Sequence, residues 1–100
     1  MALKALDSED ITVDNTAGGV GFTEAKLEAA GVIRARCSVE TAQIRTQTDP
    51  NVTLLAGSIG EIWNIGDKFI VTGGDDLRNF KAIRTGSTSG KLVVVYEGAG

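Results

Sequence analysis

Phe80-Lys81-Ala82-Ile83-Arg84, then Thr85-Gly86-Ser87-Thr88-Ser89-Gly90, then Lys91-Leu92-Val93-Val94-Val95-Tyr96-Glu97 reads as two strands joined by a short hydroxyl-rich loop. Valine and tyrosine suit a pleated, half-buried surface, and glycines at the loop ends are expected to supply the positive φ angles of a chain reversal. The spacing predicts an antiparallel pair. Within the second strand the period of two puts Leu92, Val94 and Tyr96 on one face and Val93 and Val95 on the other, so both faces are apolar. A two-layer sandwich hides only one face of each sheet. The second face therefore needs cover from a loop, a terminus or another subunit.

Upstream, Ile33, Ala35, Cys37 and Val39 alternate with Arg34, Arg36 and Ser38, the pattern of a strand with one wet face. The phase then shifts, with Ala42 and Ile44 apolar and Thr41, Gln43 and Arg45 polar, which predicts a bulge near Glu40 and Thr41 where the strand changes sheets. Thr48-Asp49-Pro50-Asn51 is a turn, Val52 to Leu55 and Ser58 to Trp63 are short strands, and Ile65-Gly66-Asp67 turns into a strand from Lys68 to Thr72. Gly73-Gly74-Asp75-Asp76 closes that strand. Near the start, Lys4 to Leu6 and Asp10 to Val13 are strand candidates separated by an acidic turn, and Asn15 to Gly21 is a loop that would let the N-terminus reach a neighbour. Thr23 to Ala30 combines good helix formers, a Thr23 cap and a Gly31 stop with strict alternation of Glu24, Lys26 and Glu28 against Ala25, Leu27 and Ala29. Its extended surroundings favour the strand reading. The turn spacing gives an all-β fold: an antiparallel β-sandwich or jelly-roll-like small barrel of about 7–8 short strands. Residues 1–21 form an N-terminal arm or edge segment, and residues 22–100 a single β-sandwich domain.

The 100 residues suffice for one domain, and 42% apolar with 23% charged residues is ordinary for a globular chain. A net charge of −3 with scattered basic residues argues against nucleic-acid binding, which needs clustered cations. No run is long enough for a membrane span, and the Met1-Ala2-Leu3-Lys4 start lacks a secretory signal, so synthesis in the cytoplasm is expected. Cys37 stands alone in an apolar run and reads as a small buried hydrophobe.

Histidine is absent, which removes the commonest general base, the commonest metal ligand and every Ser-His or Cys-His pair. Gly18-Gly19-Val20-Gly21 lacks the lysine and strand-turn-helix setting of a phosphate loop. Asp7, Glu9 and Asp10, and Asp75 with Asp76, offer hard oxygens of the kind calcium takes, but neither cluster has the alternate spacing of a calcium loop and both read as solvated turns. Adjacent Asp75 and Asp76 are poorly placed as a glycosidase pair. No catalytic residue, metal ligand or cofactor is assigned. Trp63 and Tyr96 would serve a carbohydrate-binding module if their rings were exposed, although core packing is the expected use of all five aromatics. Arg34, Arg36, Arg45, Arg78 and Arg84 can make bidentate bonds to a partner's carboxylates.

The runs Cys37 to Arg45, Ile65-Gly66-Asp67 and Phe80 to Leu92 resemble small proteins encoded among the virion genes of tailed bacteriophages and prophages, over roughly the last two-thirds of the chain. The resemblance implies an auxiliary virion component made in the host cytoplasm, such as a decoration or cement protein on the assembled major capsid protein. A head-tail connector or tail component is the nearest alternative, with a carbohydrate-binding module as another. It also implies a homo-oligomer, with a trimer compatible because such decoration proteins often sit at threefold positions, although no residue counts subunits. The charge and hydropathy readings leave neither nucleic acid nor membrane as an expected partner. The expected protein-binding residues are Arg34, Arg36, Ile83, Val93 and Val95, together with the N-terminal arm.

Overall fold

The computed structural model describes residues 3–28, 31–55 and 59–99. Among the described residues there are seven strands, β1 (Lys4–Val13), β2 (Val32–Glu40), β3 (Ile44–Gln47), β4 (Glu61–Trp63), β5 (Lys68–Thr72), β6 (Lys81–Arg84) and β7 (Gly90–Gly98), and two short helices, α1 (Glu24–Leu27) and α2 (Gly74–Asn79). The strands form two antiparallel sheets, ordered β1-β7-β2-β5 and β4-β3-β6. This is the small all-β sandwich that the alternation and turn spacing indicate.

β6 and β7 are not paired with each other. β6 runs beside β3 and β7 lies between β1 and β2, so the loop at 85–89 arches from one sheet to the other. Strand length explains the choice: β7 has nine residues, as β2 has, and β6 has four, as β3 has, so each finds full-length backbone partners in its own sheet. Neither Gly86 nor Gly90 has positive φ. Gly90 is needed for closeness, because a Cβ there would sit 2.7 Å from Ile44 Cγ2 and 3.0 Å from the Ala42 carbonyl.

The phase shift after Val39 marks the second crossing. β2 ends at Glu40, Thr41 adopts φ of 75°, and β3 begins at Ile44 in the opposite sheet. The acidic stretch near the start is part of a strand, since β1 is continuous along β7 with an irregularity between Ala5 and Asp7. Its carboxylates are compatible with a strand because each has a partner: Asp7 meets Lys26 Nζ at 2.9 Å, Asp10 meets Lys91 Nζ at 3.3 Å, and Glu9 accepts from Tyr96 and Thr23. Residues 4–13, expected as an arm or an edge segment, form an edge strand of the larger sheet. Residues 52–55 are irregular, and the remainder of the expected 58–63 strand narrows to β4, with Ser58 outside the described residues.

One expected strand and one expected turn are overturned. Residues 24–27 are helical: with no strand beside them, helix propensity prevails over alternation, and Leu27 packs against the core. Ala29 and Ala30 lie outside the described residues. Residues 74–79 are helical as well, held by Leu77, which is 4% exposed.

The core fills the gap between the sheets, with Leu92, Val94 and Tyr96 fully buried against Ala35, Cys37, Val39 and Ile44. All five aromatics form one continuous series. Tyr96 meets Phe22 edge to face, Phe22 stacks on Phe80 at 4.3 Å, Phe80 neighbours Phe69 at 6.0 Å, and Phe69 stacks on Trp63 at 4.5 Å. The series starts inside the core and ends at an open flank.

Candidate functional site: a sheet face and an open flank

The outer face of the four-stranded sheet follows from the pairing register. Opposite positions give three rows across β1, β7, β2 and β5: Asp10, Val93, Ser38, Lys68; then Ser8, Val95, Arg36, Ile70; then Ala5, Glu97, Arg34, Thr72. Residues directly opposite each other in neighbouring strands share a face. Val93 and Val95 are half-buried here and Ile70 is 52% exposed, so the centre of the face is an apolar rib open on its outer side. Arg34, Arg36, Val93 and Val95 therefore stand together.

Ile83 does not join them. It lies in β6 of the other sheet, opposite Arg45, and is buried at 2% exposure, so it offers no contact surface. Alternation alone left its orientation open; Leu54, also buried outside the main core, belongs to a segment that folds back toward this sheet through the Gly18 N–H to Leu54 O bond. The other arginines disperse as well: Arg45 and Arg84 are in the smaller sheet and Arg78 is on α2.

Two residues of the face were missed. Ile70 was readable from the period of two, since Phe69 and Val71 face inward. Glu97 was readable as the outward neighbour of Tyr96. Its carboxylate is nearly buried and accepts from Arg34 Nε at 2.6 Å, with Arg36 Nη2 at 3.7 Å. A carboxylate in that position needs ionic partners to offset its lost hydration. The pair holds both guanidinium groups at one end of the apolar rib, while the Lys91–Asp10 pair sits at the other end.

A second feature lies at the sandwich margin. One flank is closed: the Arg84 N–H donates to Asp14 O, and Val20 and Ala82 exchange backbone bonds of 2.8 Å. The opposite flank, where β4 and β5 are the terminal strands of their sheets, is an open cleft of about 450 Å³. All five consecutive residues of β5 border it, facing alternately in and out, so the cleft runs along the strand's edge. Across from them are Thr46, Glu61 and Trp63. Glu61 and Trp63 pair with Thr46 and Ile44, which face the core, so they occupy inward positions, yet Glu61 is exposed because the gap is open at this margin. Trp63 Nε1 donates to Thr46 Oγ1 at 2.9 Å, which fixes the indole against Phe69.

Elsewhere, Tyr96 is fully buried and its hydroxyl donates to Glu9, so its ring is not available for stacking on a sugar. Burial first, and the Glu9 hydrogen bond second, raise its pKa above the ordinary 10.0. Burial likewise pushes the Cys37 thiol up to about 12, which leaves it neutral and unreactive at physiological pH. Among the described residues, no group of three or more metal-ligating side chains converges. No helix of the described residues is long and apolar enough to cross a membrane. No protein-family model, curated protein or solved structure matches the chain.

Proposed function

We propose that this chain is a non-enzymatic virion structural protein of a tailed phage, a decoration or cement protein that binds the assembled major capsid lattice. The apolar rib of Val93, Val95 and Ile70, left open beside Arg34 and Arg36, is the observation that carries the reading. Apolar area with charged groups at its ends suits a protein surface: burial of the rib supplies affinity, and the arginines find carboxylates. A protein that binds only the assembled lattice stabilises that lattice by mass action, and many copies multiply a modest affinity. The sequence resemblance to phage virion proteins supplies the setting.

The test is quantitative mass spectrometry on gradient-purified particles of the phage or prophage that encodes the chain. A decoration protein is present in fixed proportion to the major capsid protein. A head-tail connector or tail component appears in the few copies of a ring, and absence from particles overturns the virion reading altogether. A Val93→Lys, Val95→Lys double variant, folded and with unchanged melting temperature, is expected to cosediment with capsids at least about tenfold more weakly.

A further inference from the structure

We propose that the open flank between β4 and β5 is a binding groove for an extended polypeptide segment, which adds a strand to the free edge of β5 and places a basic side chain toward Glu61 and Asp76. The inference is independent of the virion reading and concerns a different surface.

The backbone of β5 sets the kind of ligand. The Val39 N–H donates to Asp67 O and the Gly73 N–H donates to Ile33 O, which fixes the phase of hydrogen bonding between β2 and β5. With Ser38 opposite Lys68 and Arg34 opposite Thr72, the alternation of an antiparallel ladder directs the backbone groups of Phe69 and Val71 toward β2. Those of Lys68, Ile70 and Thr72 point away, toward the flank. They present N–H and C=O groups at intervals of about 6.8 Å, two residues of extended chain. Another extended peptide backbone matches that spacing with both donors and acceptors, and a sugar or nucleotide does not.

The rest of the groove agrees. Its floor carries the stacked Trp63 and Phe69, with the indole fixed by Thr46, and this ordered apolar surface accepts one large aliphatic side chain of the incoming strand. Two carboxylates, Glu61 and Asp76, border the cleft against one ammonium, Lys68, so its charge complements a lysine or arginine. The exposed Ile70 side chain stands on the outer side of the same edge. A self-paired β5 edge is the competing occupant, and it is an outcome of the test.

The probe is a capped synthetic peptide of about seven residues alternating valine and lysine, titrated into the full chain and followed by amide NMR and hydrogen exchange. Saturable shifts at Lys68, Ile70, Thr72 and the Trp63 indole N–H are expected, with exchange at those three amides slowed about tenfold when the groove is occupied. Two control peptides separate the contributions: one with proline at alternate positions, which removes its donors, and one with glutamate in place of lysine. Each should bind about tenfold more weakly. Ile70→Pro removes an outward N–H and should abolish binding. Because proline at an edge can disturb the strand, the Glu61→Lys, Asp76→Lys double variant provides a second reading, reversing the preference between the lysine and glutamate peptides. No saturable shift with the valine-lysine peptide, shifts confined to the outer sheet face, or equal binding of the proline peptide would overturn the proposal. So would concentration-dependent protection of Lys68, Ile70 and Thr72 without peptide, which would assign the edge to a second copy.

Discussion

Thr41 bears the conformational cost of moving the chain from one sheet to the other. Its φ of 75° is a left-handed conformation that a β-branched residue adopts at a cost of roughly 1–2 kcal/mol. Glycine removes that cost but adds freedom to the unfolded chain, worth roughly 0.5–1 kcal/mol. Thr41→Gly is therefore expected to stabilise the protein by about 0.5–1 kcal/mol and to raise Tm by about 2–8 °C, as read in a thermal melt. Cys37 is the opposite case, a residue whose chemistry is suppressed by its site. Its thiol, ordinarily at 9.0, is pushed by burial up to about 12, and the Tyr96 phenol is raised above 10.0 in the same direction. Above pH 9 the unfolded chain releases these protons while the folded chain retains them, so unfolding becomes more favourable as pH rises. Urea midpoints should hold level from pH 7 to 8.5 and decline between pH 9 and 11, and a thiol reagent at pH 8 should label Cys37 only after unfolding. A Cys37→Ala variant with the same alkaline decline would assign the loss to Tyr96 alone.

At the scale of elements, the attachment of α1 shows how a carboxylate at a strand position is used. Glu9 lies on the inward side of β1, accepts from the Tyr96 hydroxyl, and accepts from Thr23 through Oγ1 at 2.6 Å and N–H at 3.3 Å. Glu9→Ala leaves a buried phenol without an acceptor and releases the start of α1, which should cost about 1–3 kcal/mol in urea denaturation. Tyr96→Phe in the same background should recover part of the loss, because it removes the orphaned hydroxyl; strict additivity of the two changes would show that they do not interact. Such partners explain what sequence reading reached. The strand from Val32, the crossing after Glu40 and the strand from Lys68 were legible because alternation reports which face is buried and a change of phase reports a change of sheet. The pairing of β6 was not legible, since a glycine- and serine-rich loop serves a hairpin or an arch equally well. Nor was α2, whose Gly73-Gly74-Asp75-Asp76 start carries turn chemistry and whose helix is held by the burial of Leu77. Of the outer sheet face proposed for docking, Arg34, Arg36, Val93 and Val95 came from alternation within strands. The groove did not, because it depends on which strands end the two sheets.

For the whole molecule, the decisive arrangement is the pairing of the first strand with the last. β1 lies along β7 from Lys4 opposite Gly98 to Val13 opposite Gly90, and inward-facing Glu9, Ile11 and Val13 contribute to the interior beside Val94 and Leu92. Closing a loop of nearly the whole chain must precede this contact, so β1 joins at high entropic cost and with little local help. An N-terminal arm reserved for a neighbour would be dispensable for folding, and its loss would affect assembly alone. An edge strand of the core sheet is different. Deleting residues 1–13 strips β7 of one of its two hydrogen-bonding partners, leaving β2 on the other side, uncovers the row containing Leu92, Val94 and Tyr96, and creates a long apolar edge of the kind that pairs with other chains. The truncated chain is expected to lose the cooperative thermal transition of the full-length protein and to sediment as heterogeneous aggregates. A truncated monomer that melts cooperatively near the full-length Tm would instead give these residues the role of an arm. Fusing residues 1–13 through a short flexible linker to the C-terminus tests the same point in reverse: β1 must run antiparallel to β7, which an ordinary hairpin connection after Gly98 satisfies. The permuted chain should fold faster than the natural one, because a local turn replaces closure over the whole length.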